Sequence, residues 1–256
     1  TFSIITAAGK LLTSILAESS RPKKRFHTTT LCLPYNPMRI IYEIASFDYE
    51  SAVKAAAAGA DRIELCSDKS SGGVTPSLGT IEKARSEIKN DLNVIIRTRG
   101  GNFRCSDSEF EIMKRDIVHC RNAGVNGIVF GILNDLGQID VKRNRELVEL
   151  ASPMSATFHR AFDLLPEYEK SLEDVISCGF ARLLTSGCPG NAVDGISVIK
   201  NLVKRSERRI IVMPGGNVRK DNIRHIVDAT GVREVHSSSI DIIGCYEFPP
   251  KFCTKL

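Results

Sequence analysis

The chain contains no apolar run approaching the ~20 residues that a helix needs to cross a bilayer, no C-x-x-C pair and no G-x-G-x-x-G turn. The first absence argues against a membrane-spanning helix. The second, across eight cysteines (32, 66, 105, 120, 178, 188, 245 and 253) and with no secretory signal, removes a zinc ribbon and a disulfide framework. A reducing compartment is the simpler reading. The third weakens an open doubly wound sheet, the runner-up architecture, because that fold cradles a dinucleotide on such a turn. Excess charge is also scarce: 35 Lys and Arg against 30 Asp and Glu leave +5. Part of that sits in Arg21, Lys23, Lys24 and Arg25, a basic run more consistent with a solvated tail than with a nucleic-acid surface.

What is present is an ordinary soluble composition, 42% apolar and 25% charged over 256 residues, enough for one substantial core. Residues 1–37 are rich in Ser and Thr and carry one acid, Glu18. They read as a flexible leader with the composition of a mitochondrial transit peptide. From residue 38 to 256 a single domain is expected.

Within that domain β-rich runs alternate with helical stretches. Strands are expected at 39–45, 61–66, 93–98, 127–132, 155–160, 182–186, 209–213 and 233–237. The clearest helix is 106–123, where Ser106 and Glu109 make an S-x-x-E capping box and Phe110, Met113, Ile117 and Cys120 recur on one face. A weak repeat supports the count: Gly59, Gly124, Gly179 and Gly231 each end a helix just before an even-numbered strand. Eight such units close into a TIM-type (β/α)8 barrel. After the eighth strand the adjacent Pro249 and Pro250 forbid a full helix. The eighth helix is therefore missing or reduced, or a partner subunit covers that side.

Active groups of such barrels gather at the C-terminal ends of the strands. The two-residue strand period places Glu43, Glu64, the pair Arg97 and Arg99, His159, His236 and Ser238 there, with Arg160 and Asp163 following as strand five becomes a loop. Burying that many ionisable groups is costly, so a polar pocket explains them better than an ion-pair network that only holds the barrel together. Gly215 and Gly216 after strand seven, with Ser238 after strand eight, form a candidate anion site; tight-turn roles explain the two glycines equally well.

The runs GADRIELCSD (59–68), GGVTPSLG (72–79), IIRTRGG (95–101), TFHRAFD (157–163), RLLTSG (182–187), IIVMPGGNVR (210–219) and GVREVHSSS (231–239) resemble the CutC copper-homeostasis family, in order, from about residue 38 to 239. That resemblance implies a cytoplasmic, homo-oligomeric barrel concerned with copper; a mitochondrial location is the alternative if 1–37 is a transit peptide. It further implies a copper site on two thiols near the mouth. Cys66 matches the second, but the first falls at Ala45. Cu(I) is soft and prefers two or three sulfur ligands, and Cys105, Cys188 and Met213 are the other sulfurs placed toward that face. Two functions follow: binding of copper, as Cu(I), at Cys66, or an enzyme acting on a small anionic or phosphorylated metabolite. In the second, Arg97 and Arg99 hold the anion, Glu43 or Glu64 is the base and His159 the acid.

Overall fold

A computed structural model describes residues 39–248. The leader expected over 1–37 and the proline pair at 249–250 lie outside the described residues. Strands and helices alternate as β1 (Ile41–Ser46), α1 (Tyr49–Ala57), β2 (Arg62–Leu65), α2 (Leu78–Glu87), β3 (Asp91–Ile95), α3 (Asp107–Ala123), β4 (Gly127–Phe130), α4 (Val141–Ala151), β5 (Ser155–Phe158), α5 (Tyr168–Ser177), β6 (Arg182–Thr185), α6 (Ile196–Ser206), β7 (Ile211–Pro214), α7 (Ile223–Thr230) and β8 (Glu234–Ser237). Every expected strand is present. Most end one to three residues early, because the chain bends away once it clears the barrel rim.

Helix α3 behaves as its sequence dictates. Ser106 and Glu109 cap each other's backbone N–H groups, and Phe110, Met113, Ile117 and Cys120 are its buried residues. The four glycines of the repeat all take positive φ, from +75° to +92°. They end α1, α3, α5 and α7 in the left-handed turn that residues with a Cβ avoid.

All strand pairs are parallel, in the order β7-β6-β5-β4-β3-β2-β1-β8. The sheet is thus a TIM-type barrel, hydrogen-bonded at seven seams. At the eighth, β7 and β8 lie side by side without a ladder. Proline explains the gap. Ile211 and Gly215 donate to Ala181 and Thr185 on the β6 side, so in a parallel strand positions 212 and 214 face β8. Pro214 has no N–H to give there.

Outward-facing residues of the strands, among them Ile44, Ile63, Leu65, Val94, Phe130, Phe158 and Val235, are buried beneath the helices. This apolar layer is the core. No eighth helix follows β8 among the described residues; a 3-10 turn, Ile240–Ile242, leads into an extended tail. The tail docks on the outside of β1, where the Tyr42 hydroxyl donates to the Tyr246 carbonyl (3.3 Å) and accepts from its N–H (3.1 Å). Chain after β8 therefore occupies the flank that an eighth helix takes in other barrels.

Candidate functional site

The lumen reverses the usual rule of apolar interiors, and register shows how. Glu43 pairs with Arg62 on one side and His236 on the other, and Ala45 pairs with Glu64. Alternate residues of each strand point inward, so they form layers. In the lower layer Arg62 donates to Glu234 (2.8 Å from both terminal nitrogens) and to Glu43 (3.2 Å). Arg182 donates to the same Glu234 oxygen at 2.9 Å. Two cations meet two anions here, with every member at most lightly exposed. This is an ion-pair floor, and Glu43 belongs to it rather than to the mouth.

One level up, His236 stands between two carboxylates. Its Nδ1 lies 2.8 Å from Glu43 and its Nε2 lies 3.6 Å from Glu64. Burial opposes charge on this imidazole, but the hydrogen bond to Glu43 and the fields of Glu64 and Glu43 outweigh it and raise its pKa. Burial likewise works against the Glu43 carboxylate; the hydrogen bond and charge of His236, helped by Arg62, prevail and keep it ionised. Glu64 has no arginine partner among the described residues. Burial dominates, aided by the charge of Glu43 against the pull of His236, and its pKa rises to about 7.

Above this lies a cavity of about 430 Å³ lined by Glu64, Cys66, Arg97, His159, Arg160 and Arg219, among others. Asp163 lines it too, but is saturated. It accepts from Arg160 Nε (2.8 Å), from the Ser186 N–H (3.0 Å) and hydroxyl (2.7 Å), and from Thr185. It aims Arg160 and ties down the loop after β6, and is not itself a reactive group. Arg97 is held by the carbonyls of Ser71, Gly73 and Gly101 and stacks over Phe103 at 4.7 Å. No carboxylate neutralises it among the described residues.

Several expectations are corrected. Arg99, expected beside Arg97 from strand alternation, does not join it: past β3 the chain stays extended through Arg97 and then bends over 98–101. Arg99 pairs with Glu109 at the start of α3, away from the cavity. Its place is taken by Arg160 and Arg219, the latter donating to the hydroxyls of Ser237 and Ser238. Gly216 and Ser238 line the cavity. Gly215 does not: a Cβ there would meet the His236 ring at 3.2 Å and Leu184 at 2.5 Å, so its role is close packing beside His236. Arg62, Arg182 and Glu234 are not among the residues expected from sequence: Arg62 and Glu234 stand one strand period before Glu64 and His236, while Leu184, two residues after Arg182, gives no such signal.

The sulfurs do not assemble. Cys66 is the one sulfur lining the cavity among the described residues. Cys105 contacts Met113 (3.7 Å), the Cys188 thiol donates to the Asn191 carbonyl (3.4 Å), and Met213 lies in the floor beside Arg62. Burial first, then the charges of Glu64 and Glu43, drive the Cys66 pKa well above its ordinary value. A protonated thiol beside Ala45 is a poor donor for a soft ion. No cluster of three or more His, Cys, Asp or Glu suited to a metal occurs among the described residues.

The model of the CutC family matches residues 40–241, most of the chain and every strand. The chain belongs to the CutC family. It is 42% identical over 199 residues to the human copper homeostasis protein cutC homolog, covering 78% of this chain and 73% of that one. A CutC family protein from Parabacteroides distasonis is 46% identical over 207 residues, covering 80% and 85%. The solved structure of a CutC from Streptococcus agalactiae superposes with a TM-score of 0.75 at 33% identity, over 78% of this chain and 99% of that one. Membership of the CutC family thus agrees with the fold, and the copper-homeostasis name belongs to those relatives.

Proposed function

We propose that the barrel mouth binds a small anionic metabolite and performs acid–base chemistry on it, with Glu64 as the proton-transferring group. One observation carries this reading: a single cavity holds the side chains of Arg97, Arg160 and Arg219 together with Glu64, a carboxylate that no arginine among the described residues neutralises. Arginines exceed carboxylates in that mouth, which favours an anionic ligand. Glu64, titrating near neutrality, can both take and return a proton at working pH. His236, 3.6 Å from it and bonded to Glu43 beneath, tunes its basicity together with the Glu43 charge.

The test is a thermal-shift and calorimetry screen of phosphorylated and carboxylated metabolites, with inorganic phosphate as the simplest probe. A ligand found this way should bind Arg160→Ala and Arg97→Ala at least tenfold more weakly. Failure of every anion to stabilise the wild type refutes the reading.

The copper reading rests on Cys66 and the names of the relatives. Cu(I) titration with a thiolate absorbance readout, on wild type and Cys66→Ser, addresses it directly. Equal response of the two proteins removes Cys66 as a ligand. A response confined to wild type, with a stoichiometry of one, would restore copper as cargo at the mouth.

A further inference from the structure

His159 directly follows β5, and its two ring nitrogens have different tasks. Its Nδ1 faces the Ala161 N–H and accepts from it at 3.4 Å, so in the neutral ring the proton sits on Nε2. The ring is fixed on several sides. Phe103 meets it edge-on at 4.7 Å and Phe158 at 6.0 Å. Gly131 admits it, since a Cβ there would come within 2.8 Å of Nδ1. Among the described residues no carboxylate pairs with it and no hydrogen bond engages Nε2, while the residue lines the cavity. Burial and then the charge of Arg97 hold its pKa down at about 3, so it stays neutral at any physiological pH. A general acid that must lose its proton and regain it is ill served by such a group. A fixed N–H donor is well served.

We infer that His159 Nε2–H is a hydrogen-bond donor to a carbonyl oxygen, and that the mouth catalyses proton transfer at the carbon next to that carbonyl in a small phosphate- or carboxylate-bearing hydroxy- or oxo-compound. This deepens the anion-binding reading above and rests on it. Arg97, Arg160 and Arg219 take the anionic group, leaving the carbonyl to His159 and the acidic C–H to Glu64.

In the forward step the C–H bond breaks. Its proton passes to the Glu64 carboxylate, the bonding pair forms the carbon–carbon double bond, and the carbonyl π pair moves onto oxygen. The negative oxygen is met by Nε2–H, which donates without transferring its proton. Glu64 then returns the proton to the same carbon as the oxygen pair re-forms the carbonyl, giving epimerisation. Alternatively, in an α-hydroxy compound, it protonates the former carbonyl carbon while the hydroxyl proton passes to the neighbouring oxygen and a carbonyl forms where the hydroxyl stood, giving isomerisation. Neither outcome needs an oxidant or co-reactant. A neutral imidazole donor kept from protonating is a known way of polarising a carbonyl.

The experiment compares two pairs of inhibitors by calorimetry: phosphoglycolohydroxamate against phosphoglycolate, and oxalate against oxamate. The first member of each pair mimics the enolate and the second the ground state; the two pairs separate a phosphate from a carboxylate substrate. In at least one pair the enolate mimic should bind tenfold or more tightly. That advantage should vanish in His159→Phe, persist in part in His159→Gln, whose amide still donates, and be unchanged in Asn191→Ala. Nitrogen-15 NMR of labelled histidine should show the Nε2–H tautomer of His159 from pH 5 to 8, independently of any ligand. If the ground-state anions bind but neither mimic gains, or the tautomer is Nδ1–H, the inference is overturned and anion binding stands. If none of the four compounds binds, the inference is overturned, and anion binding falls with it when the wider screen is also empty.

Discussion

Replacing Glu64 by glutamine should stabilise the protein at alkaline pH while abolishing proton transfer. The carboxyl titrates near 7 in the fold against an ordinary value of 4.5. Between those two pH values the unfolded chain gives up the proton and the folded chain keeps it. Stability therefore falls as pH rises through this window and is level above it. At about 1.4 kcal/mol for each pH unit between the two values, the cost approaches roughly 3 kcal/mol by pH 8. Glutamine has nearly the same shape and never ionises, so it removes that slope. Part of the gain is returned because His236 loses one of its two anionic neighbours, which leaves an expected gain of about 1–3 kcal/mol. For a domain of this size that corresponds to a rise of roughly 3–10 °C in the unfolding midpoint at pH 8 and almost none at pH 4.5. Thermal or urea unfolding of both proteins at half-unit steps from pH 4.5 to 8.5 measures it. Parallel curves for wild type and E64Q, or a mutant less stable at pH 8, would show that Glu64 is ionised and satisfied in the fold, and the acid–base argument would go with it.

Other perturbations probe separate parts of the structure. Arg62→Met strips Glu234 and Glu43 of their shared cation and should cost about 3–5 kcal/mol in urea unfolding, as loss of one partner from a buried ion cluster does; a cost below about 1 kcal/mol would mean the floor is hydrated. Tyr42→Phe removes both hydrogen bonds to Tyr246 and should cost about 1–2 kcal/mol while speeding proteolysis within 243–248, an effect mass spectrometry of the fragments would reveal. Gly131→Ala drives a methyl against the His159 and Phe158 rings, which should destabilise by about 1–3 kcal/mol and shift the His159 nitrogen resonances; unchanged resonances would mean the ring is not held there.

The order of strands and helices was legible because each signal is local. The Ser106–Glu109 box, the apolar face of α3 and the glycines ahead of β2, β4, β6 and β8 act through contacts within a turn or two of chain. The closed barrel followed from eight such units, since a parallel sheet of that length with all connections alike buries its edges by curling. Strand period also brought Glu64, Arg97, His159 and His236 to one mouth. It failed for Arg99, because alternation holds only while the backbone stays extended and the chain bends over 98–101.

What only the tertiary structure decided is the allotment of charge. Glu43 and Glu64 are both inward carboxylates on adjacent strands, and nothing in their flanking residues tells them apart. Arg62, His236 and Glu234 come from distant chain segments, and their distances leave Glu43 ionised in the floor and Glu64 near neutrality at the mouth. Saturation of Asp163 and, among the described residues, the lack of a carboxylate for Arg97 and of a hydrogen bond at His159 Nε2 arise the same way. The amino-acid order specifies which elements form, through interactions a few residues long; the protonation and reach of each side chain depend on charges and dipoles across the barrel, which exist only once it has closed.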